Sequence, residues 1–214
     1  MSEYRLLYTP YDVATPRTAF QRSVKRALDV VGSVVTMACL LPLLLIVAVA
    51  VALDSPGPIV FRQRRSGLNR REFVIFKFRT MTVLEDGSDV TQARRNDFRV
   101  TRIGKILRRS SLDELPQLFN VLKGDMSLVG PRPHALAHDH IYRVHIADYE
   151  ARYHVKPGLT GWAQVNGLRG ETESIKKMAE RVKFDLWYVK NWSLVLDLHI
   201  LFRTSFEVFR DRAY

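Results

Sequence analysis

Two adjacent carboxylates, Asp113 and Glu114, stand between the basic run Leu107-Arg108-Arg109-Ser110-Ser111-Leu112 and the segment Leu115-Pro116-Gln117-Leu118-Phe119-Asn120-Val121-Leu122-Lys123-Gly124. An acidic couplet beside cations suits chemistry on phosphates. Adjacent helical residues point about 100° apart, so one carboxylate can face a substrate while its neighbour turns to a metal. Leu115, Leu118, Phe119 and Leu122 recur at helical spacing, and Gly124 is a stop signal. The helix is therefore expected to start near Ser111 to Asp113, and Pro116 favours the later start, because proline is harmless only in a first turn. Its positive end would hold both acids ionised and attract phosphate. The same residues also fit a plain capping box, Ser111 with Glu114.

Other cations and rings are spaced for recognition. Along Phe73-Val74-Ile75-Phe76-Lys77-Phe78-Arg79-Thr80-Met81 a period of two sets Lys77 and Arg79 on one face and Val74, Phe76 and Phe78 on the other. Two neighbouring cations on a strand can grip a diphosphate, or form the solvated face of a half-buried strand. In Gly130-Pro131-Arg132-Pro133 the prolines restrict the backbone at Arg132, whose planar fork suits phosphate; the alternative is a stiff surface turn. Pro157-Gly158-Leu159-Thr160-Gly161-Trp162-Ala163-Gln164-Val165-Asn166-Gly167 reads as an ordered loop with strand character, with Trp162 a stacking surface or a buried ring. Asp185 lies among Phe184, Leu186, Trp187 and Tyr188, so it is either paired with a cation or a metal or substrate ligand.

These groups need elements to position them. Ile59 to Arg65, the turn Ser66-Gly67-Leu68-Asn69 and Glu72 to Thr80 predict a β-hairpin. Ile175, Met178, Val182, Leu186 and Val189 predict a helix, and Leu194 to Phe209 a last amphipathic one with Arg203, Glu207 and Arg210 on its polar side. That last helix suits core packing, an interface with lipid, or a homodimer. Upstream, Val30 to Leu53 is a run of 24 residues without a charge, long enough to span a bilayer core that needs about 20. It is too long, and begins too late, for a cleavable signal peptide.

Both flanks of that run are positive: Arg17, Arg22, Lys25 and Arg26 precede it, and Arg62, Arg64, Arg65, Arg70 and Arg71 follow it. A spanning helix concentrates Lys and Arg on its cytoplasmic side only. Pro42 lies mid-run, where it removes a hydrogen bond and kinks a helix. A helix that bends there and leaves by the face it entered would have legs of about 18 Å, reaching about the bilayer midplane. A kinked spanning helix accommodates the same residues.

Composition narrows the class. The 214 residues are 47% hydrophobic and 26% charged, which allows one ordinary domain with an anchor and excludes disorder. Lys plus Arg, 33, exceed Asp plus Glu, 22, and residues 62 to 109 hold 14 of the former against five of the latter. That local excess calls for an anionic partner: nucleic acid, acidic lipid or a phosphorylated substrate. The single Cys39 excludes a disulfide framework and a cysteine metal site.

Taken together, Lys25-Arg26 before a Pro-broken apolar run, Lys77-Phe78-Arg79-Thr80-Met81, Ser111-Leu112-Asp113-Glu114-Leu115-Pro116-Gln117, Gly130-Pro131-Arg132-Pro133 and Gly158-Leu159-Thr160-Gly161-Trp162-Ala163-Gln164-Val165-Asn166-Gly167 resemble the bacterial sugar transferase family, the monotopic phosphoglycosyl transferases. The match covers about residues 20 to 210, with five motifs in order. The resemblance implies transfer of a hexose 1-phosphate, glucose or galactose, from a UDP-hexose to undecaprenyl phosphate with release of UMP. This is the first membrane step of exopolysaccharide, capsule or O-antigen assembly. By the same likeness Asp113 is the nucleophile and Glu114 its catalytic partner, and Glu114 and Asp185 hold Mg²⁺. Lys77, Arg79, Arg108, Arg132, Trp162 and Gln164 bind substrate, and Lys25, Arg26 and Pro42 belong to the anchor. Many relatives have a second Gly where this chain has Asn69-Arg70, and Asn tolerates the left-handed geometry. Longer members carry further domains, so the chain resembles the catalytic module.

The expected architecture is α+β, mainly helical: a monotopic membrane protein with an N-terminal Pro-broken re-entrant helix, a β-hairpin and amphipathic interfacial helices. Residues 1–28 form an interfacial segment, 29–54 the re-entrant helix and 55–214 a cytoplasmic catalytic domain on the bacterial inner membrane. Membrane lipids are expected partners and nucleic acid is not. The competing reading is a membrane-tethered basic protein that binds nucleic acid or acidic lipid without catalysis.

Overall fold

In the computed structural model, residues 18–83, 97–170 and 174–207 are described. Residues 1–17 of the expected interfacial segment, and Arg210 of the last helix, lie outside them.

Helix α1 (Ala19–Asp54) starts at a capping box: Thr18 Oγ1 accepts from the Gln21 amide at 3.1 Å, and the Gln21 side chain accepts from the Thr18 amide at 3.3 Å. Helix α1 runs as one element from Ala19 to Asp54, with Pro42 inside it. A proline deletes one amide donor, and the neighbouring turns carry the helix across it. Lys25 and Arg26 consequently sit inside α1 rather than before it. One stripe of α1, including Asp29, Ser33, Val47 and Val51, is buried, while Val31, Val35, Leu41, Leu45, Val49 and Leu53 are exposed.

Strands β1 (Val60–Ser66) and β2 (Glu72–Phe78) form the predicted antiparallel hairpin, in register from Val60 opposite Phe78 to Ser66 opposite Glu72. In the connecting turn both Asn69 (φ 52°) and Arg70 (φ 60°) are left-handed, a geometry easy for Asn and costly for Arg. The faces of β2 alternate as read, but the Lys77 and Arg79 face is the inward one: it shares its parity with the buried Phe73 and Ile75.

Helix α2 (Arg102–Ser110) then runs to Ser111, which is left-handed at φ 61° and ends it. Leu112–Glu114 form a single 3-10 turn, and α3 (Gln117–Lys123) begins only after Pro116. The predicted helix start at Ser111 to Asp113 is therefore several residues early. Pro116, which has no amide hydrogen, occupies the cap of α3 instead of its interior. Ser111 makes no side-chain cap hydrogen bond, so the capping box is absent too. Gly124 closes α3 at φ 90°, as its position predicted.

Strand β3 (Ser127–Val129) pairs in parallel with β4 (Gly158–Thr160). Their backbones approach so closely that a Cβ on Gly158 would lie 2.1 Å from the Gly130 nitrogen. Helix α4 (Leu136–His145), the short α5 (Trp162–Val165), α6 (Ile175–Asn191) and α7 (Leu194–Glu207) complete the chain. The main core gathers Ile75, Leu118, Val121, Val189 and Ile200 from β2, α3, α6 and α7, with Met126 from the segment between α3 and β3. Asn120 ties α3 to the hairpin: its Oδ1 accepts from the Phe76 amide at 3.0 Å and its Nδ2 donates to Val74 O at 2.6 Å.

Candidate active site

The Asn120 clasp sets the turn before α3 against β2, which brings Lys77 to the couplet. Lys77 Nζ donates to Glu114 Oε1 at 2.8 Å. Arg132 closes on the same carboxylate as a fork, with Nη1 on Oε2 at 3.0 Å and Nη2 on Oε1. Arg169 Nη2 lies 4.0 Å from Glu114 Oε2 and also donates to Ser111 Oγ. Arg108, on the last turn of α2, donates through Nε to Thr80 Oγ1 at 3.0 Å. Asp113 is as buried as Glu114, yet it accepts no hydrogen bond among the described residues.

This asymmetry separates the two acids electrically. Burial raises the Asp113 carboxyl and the adjacent Glu114 charge raises it further, against Lys77, Arg108 and Arg132, so that it is pushed up to about 6. Burial would raise Glu114 too, but Arg132 and Lys77 outweigh it and hold Glu114 well below the usual carboxylate range. Lys77 is lowered by burial, partly offset by Glu114. The expected helix dipole is thus replaced as the cause: a three-residue turn supplies little dipole, and side-chain cations favour the charged form of both acids, outweighing burial at Glu114 but not at Asp113.

The bacterial sugar transferase family model matches residues 20–211. The chain belongs to the bacterial sugar transferase family. It is 51% identical over 199 residues to the UDP-glucose:undecaprenyl-phosphate glucose-1-phosphate transferase of Escherichia coli K12, covering 93% of this chain and 43% of that protein. The protein of the same name in Caulobacter vibrioides is 58% identical over 180 residues, 84% of this chain and 67% of that one. The exopolysaccharide production protein PSS of Rhizobium leguminosarum bv. phaseoli is 48% identical over 185 residues, 85% of this chain and 92% of the relative. The chain therefore spans less than half of the E. coli relative and most of the Rhizobium one.

The other residues singled out from sequence divide into two groups. Arg108 and Lys77 join Arg132 around the couplet through the charges they place on Asp113. Arg79 does not: its guanidinium donates to Pro58 O at 2.7 Å, Val51 O at 3.1 Å and Ser55 O, capping the last carbonyls of α1. Trp162 stacks on Trp187 with centroids 4.9 Å apart, and Arg203 lies 5.7 Å from its ring. Gln164 is buried and its Nε2 donates to Leu159 O at 3.3 Å. The ring contacts join α5 to α6 and α7, and the Gln164 bond joins α5 to β4.

Asp185 is paired with a cation, one of the two readings its neighbours allowed: Arg152 Nε donates to its Oδ2 at 2.9 Å. Lys25 and Arg26 dock α1 onto α3 and α7 instead of merely flanking the apolar run. Arg26 Nη1 and Nη2 donate to Val121 O at 2.6 Å and Leu122 O at 2.7 Å, and Lys25 Nζ meets Asp197 Oδ2 at 2.6 Å. Arg169 and Arg152 escaped the sequence reading. Arg169 lies in a loop 55 residues beyond Glu114, so spacing gives no signal.

Proposed function

We propose that the chain transfers glucose 1-phosphate from UDP-glucose to undecaprenyl phosphate at the membrane surface, through a phosphosugar ester of Asp113. The observation that carries this reading is the couplet itself: a buried Asp113 raised to about 6 and unbonded among the described residues, beside a Glu114 locked by Lys77 and Arg132. The names of the E. coli and Caulobacter relatives support the donor and acceptor.

The Asp113 oxygen attacks the β-phosphorus of the donor. The bond from that phosphorus to the bridging oxygen breaks, and UMP leaves with the electron pair. A phosphate oxygen of the lipid then attacks the same phosphorus, the carboxylate departs unchanged, and the lipid carries the hexosyl diphosphate. Attack of an anion on a diphosphate is opposed by charge, which Lys77, Arg108, Arg132 and Arg169 offset as they neutralise the developing charge on the oxygens. Because Glu114 already anchors Arg132 and Lys77, these cations are held in place before substrate arrives.

Among the described residues no three His, Cys, Asp or Glu side chains converge on one point. Magnesium needs no such cage when a diphosphate supplies ligands, since one or two carboxylates and retained waters suffice. Glu114 fits that pattern through Oε2, which among the described residues accepts only from Arg132 Nη1 and keeps a lone pair, and it would hold the metal; when bound, magnesium would add Lewis-acid neutralisation of the diphosphate.

Among the described residues one helix, Ala19–Asp54, is long and apolar enough to cross a membrane. A re-entrant, monotopic placement on the cytoplasmic face is supported by how α1 is held. Near its start, Lys25 and Arg26 bind α3, β3 and α7; at its end, Asp54 Oδ2 accepts from the Ile103 amide at 3.1 Å and Arg79 caps its carbonyls. A helix bound at both ends by one packed body does not leave its ends on opposite sides of a bilayer. The exposed Val195, Leu198, Phe202 and Phe206 on α7, with Trp187, would lie in the interface. The nucleic-acid reading is disfavoured because Lys77, Arg79 and Arg132 turn inward to a carboxylate and carbonyls.

Incubation with UDP-glucose, Mg²⁺ and undecaprenyl phosphate tests the proposal. UMP and lipid-linked hexosyl diphosphate are expected; release of UDP would mean that sugar moves without phosphate and would overturn it.

A further inference from the structure

Behind the couplet lies a second buried charge cluster that the transfer reaction does not use directly. Arg152 is 4% exposed and Asp185 1% exposed. While Arg152 Nε holds Asp185 Oδ2 at 2.9 Å, its Nη2 donates to the backbone carbonyl of Arg132 at 2.6 Å. Arg181 lies one turn before Asp185 on the same face of α6, and its charge interacts with the Asp185 carboxylate and with Arg132. Arg181 Nη2 donates to the Gly170 carbonyl at 2.6 Å, next in the chain to Arg169.

Two buried guanidinium groups thus grip two backbone carbonyls, one belonging to Arg132 and the other adjoining Arg169. These are the two arginines that meet Glu114 from outside β2. A buried cation needs a nearby counter-charge, and Asp185 stands beside both. Burial lowers Arg181 to about 10, with the Arg132 charge adding to the effect, while Asp185 acts against it.

We propose that Asp185 is a positioning residue: as the shared counter-charge of Arg152 and Arg181, it orients Arg132 and Arg169 toward the substrate diphosphate, and it does so without touching a metal. The inference rests on the functional reading above and assigns Asp185 a role different from the magnesium ligation that the family likeness implied. With its Oδ2 on Arg152 and its side chain enclosed, Asp185 lacks the access to water and substrate that a magnesium ligand of this kind needs.

The test is calorimetric binding of UDP to the detergent-solubilised full chain in EDTA, followed by a Mg²⁺ titration of UMP release. Asp185→Asn is expected to weaken metal-free UDP binding about tenfold, the scale of one charge-assisted hydrogen bond lost at the site. The Mg²⁺ concentration for half-maximal rate should stay where it is. Arg181→Gln, which removes the grip on Gly170 and leaves Asp185 intact, should weaken UDP binding in the same direction by a smaller factor. It decides the matter alone if Asp185→Asn does not fold. Metal-free UDP affinity equal to that of the unaltered protein, with a raised Mg²⁺ requirement, would make Asp185 a metal ligand and overturn the proposal. Unchanged values in both measurements would overturn it as well. If the unaltered protein neither binds UDP nor releases UMP, the functional reading itself falls and takes this inference with it.

Discussion

Asp197 and Asp113 are both buried aspartates close to cations, and they are built in opposite ways. Asp197 receives Lys25 Nζ at 2.6 Å, Tyr188 OH at 2.7 Å and Trp192 Nε1 at 3.1 Å, so both oxygens are bonded. Asp29, nearby on α1, accepts from Ser127 Oγ and the Leu128 amide, each at 2.9 Å. Asp113 accepts nothing comparable among the described residues and is pushed up to about 6. A buried carboxylate whose lone pairs are all bonded joins elements together, here α1 to α6, α7 and β3. One left unbonded beside a like charge stays nucleophilic and available to phosphorus. The comparison predicts that altering the two aspartates produces different kinds of failure.

The largest difference is in rate. Asp113→Asn should lower UMP release about a thousandfold or more while the melting temperature stays close to that of the unaltered protein, because no hydrogen bond is lost. Lys25→Ala should do the reverse. It leaves Asp197 buried without its cation and should cost about 3 kcal/mol of stability, the low end for a broken buried pair because Lys25 keeps some solvent contact. Denaturant unfolding reads that loss; a change in the pH profile instead of stability would contradict the division. Arg132→Lys should follow, with a fall in kcat/KM of about a hundredfold, since a point charge cannot hold both Glu114 oxygens and a phosphate as a fork does.

The smallest effect sharpens the electrostatics. Asp113 attacks only when ionised, so a value near 6 predicts a rate constant about tenfold lower at pH 5 than at pH 7, with a plateau above. The Arg108 charge lowers the Asp113 value, so Arg108→Gln should move that limb to higher pH. A limb that stays in place, or moves to lower pH, would remove Arg108 from the site.

The sequence made the hairpin, the α6 and α7 helices and the chemistry-bearing couplet legible because each rests on local pattern: alternation, helical spacing, a glycine stop. The errors share a cause of the opposite kind. Arg79 resembled a diphosphate grip because strand periodicity gives its face but not its neighbour, and the neighbour is the carbonyl end of α1. Lys25 and Arg26 looked like flanking charges because nothing local announces Val121, Leu122 or Asp197 as partners about 95 to 172 residues away. Pro116 was given a place within a helix start, yet it caps α3, and the left-handed Ser111 that allows the intervening turn has no signature of its own. Arg169 and Arg152 reach the site only through tertiary packing, which one chain read in order does not display.

The most direct test holds the donor and withholds the acceptor. The protein incubated with UDP-glucose and Mg²⁺, without lipid phosphate, should gain the mass of one hexosyl phosphate on the peptide containing Asp113 and release one equivalent of UMP. An unmodified peptide under those conditions, from protein that still forms lipid-linked product once undecaprenyl phosphate is added, would contradict a covalent aspartyl route.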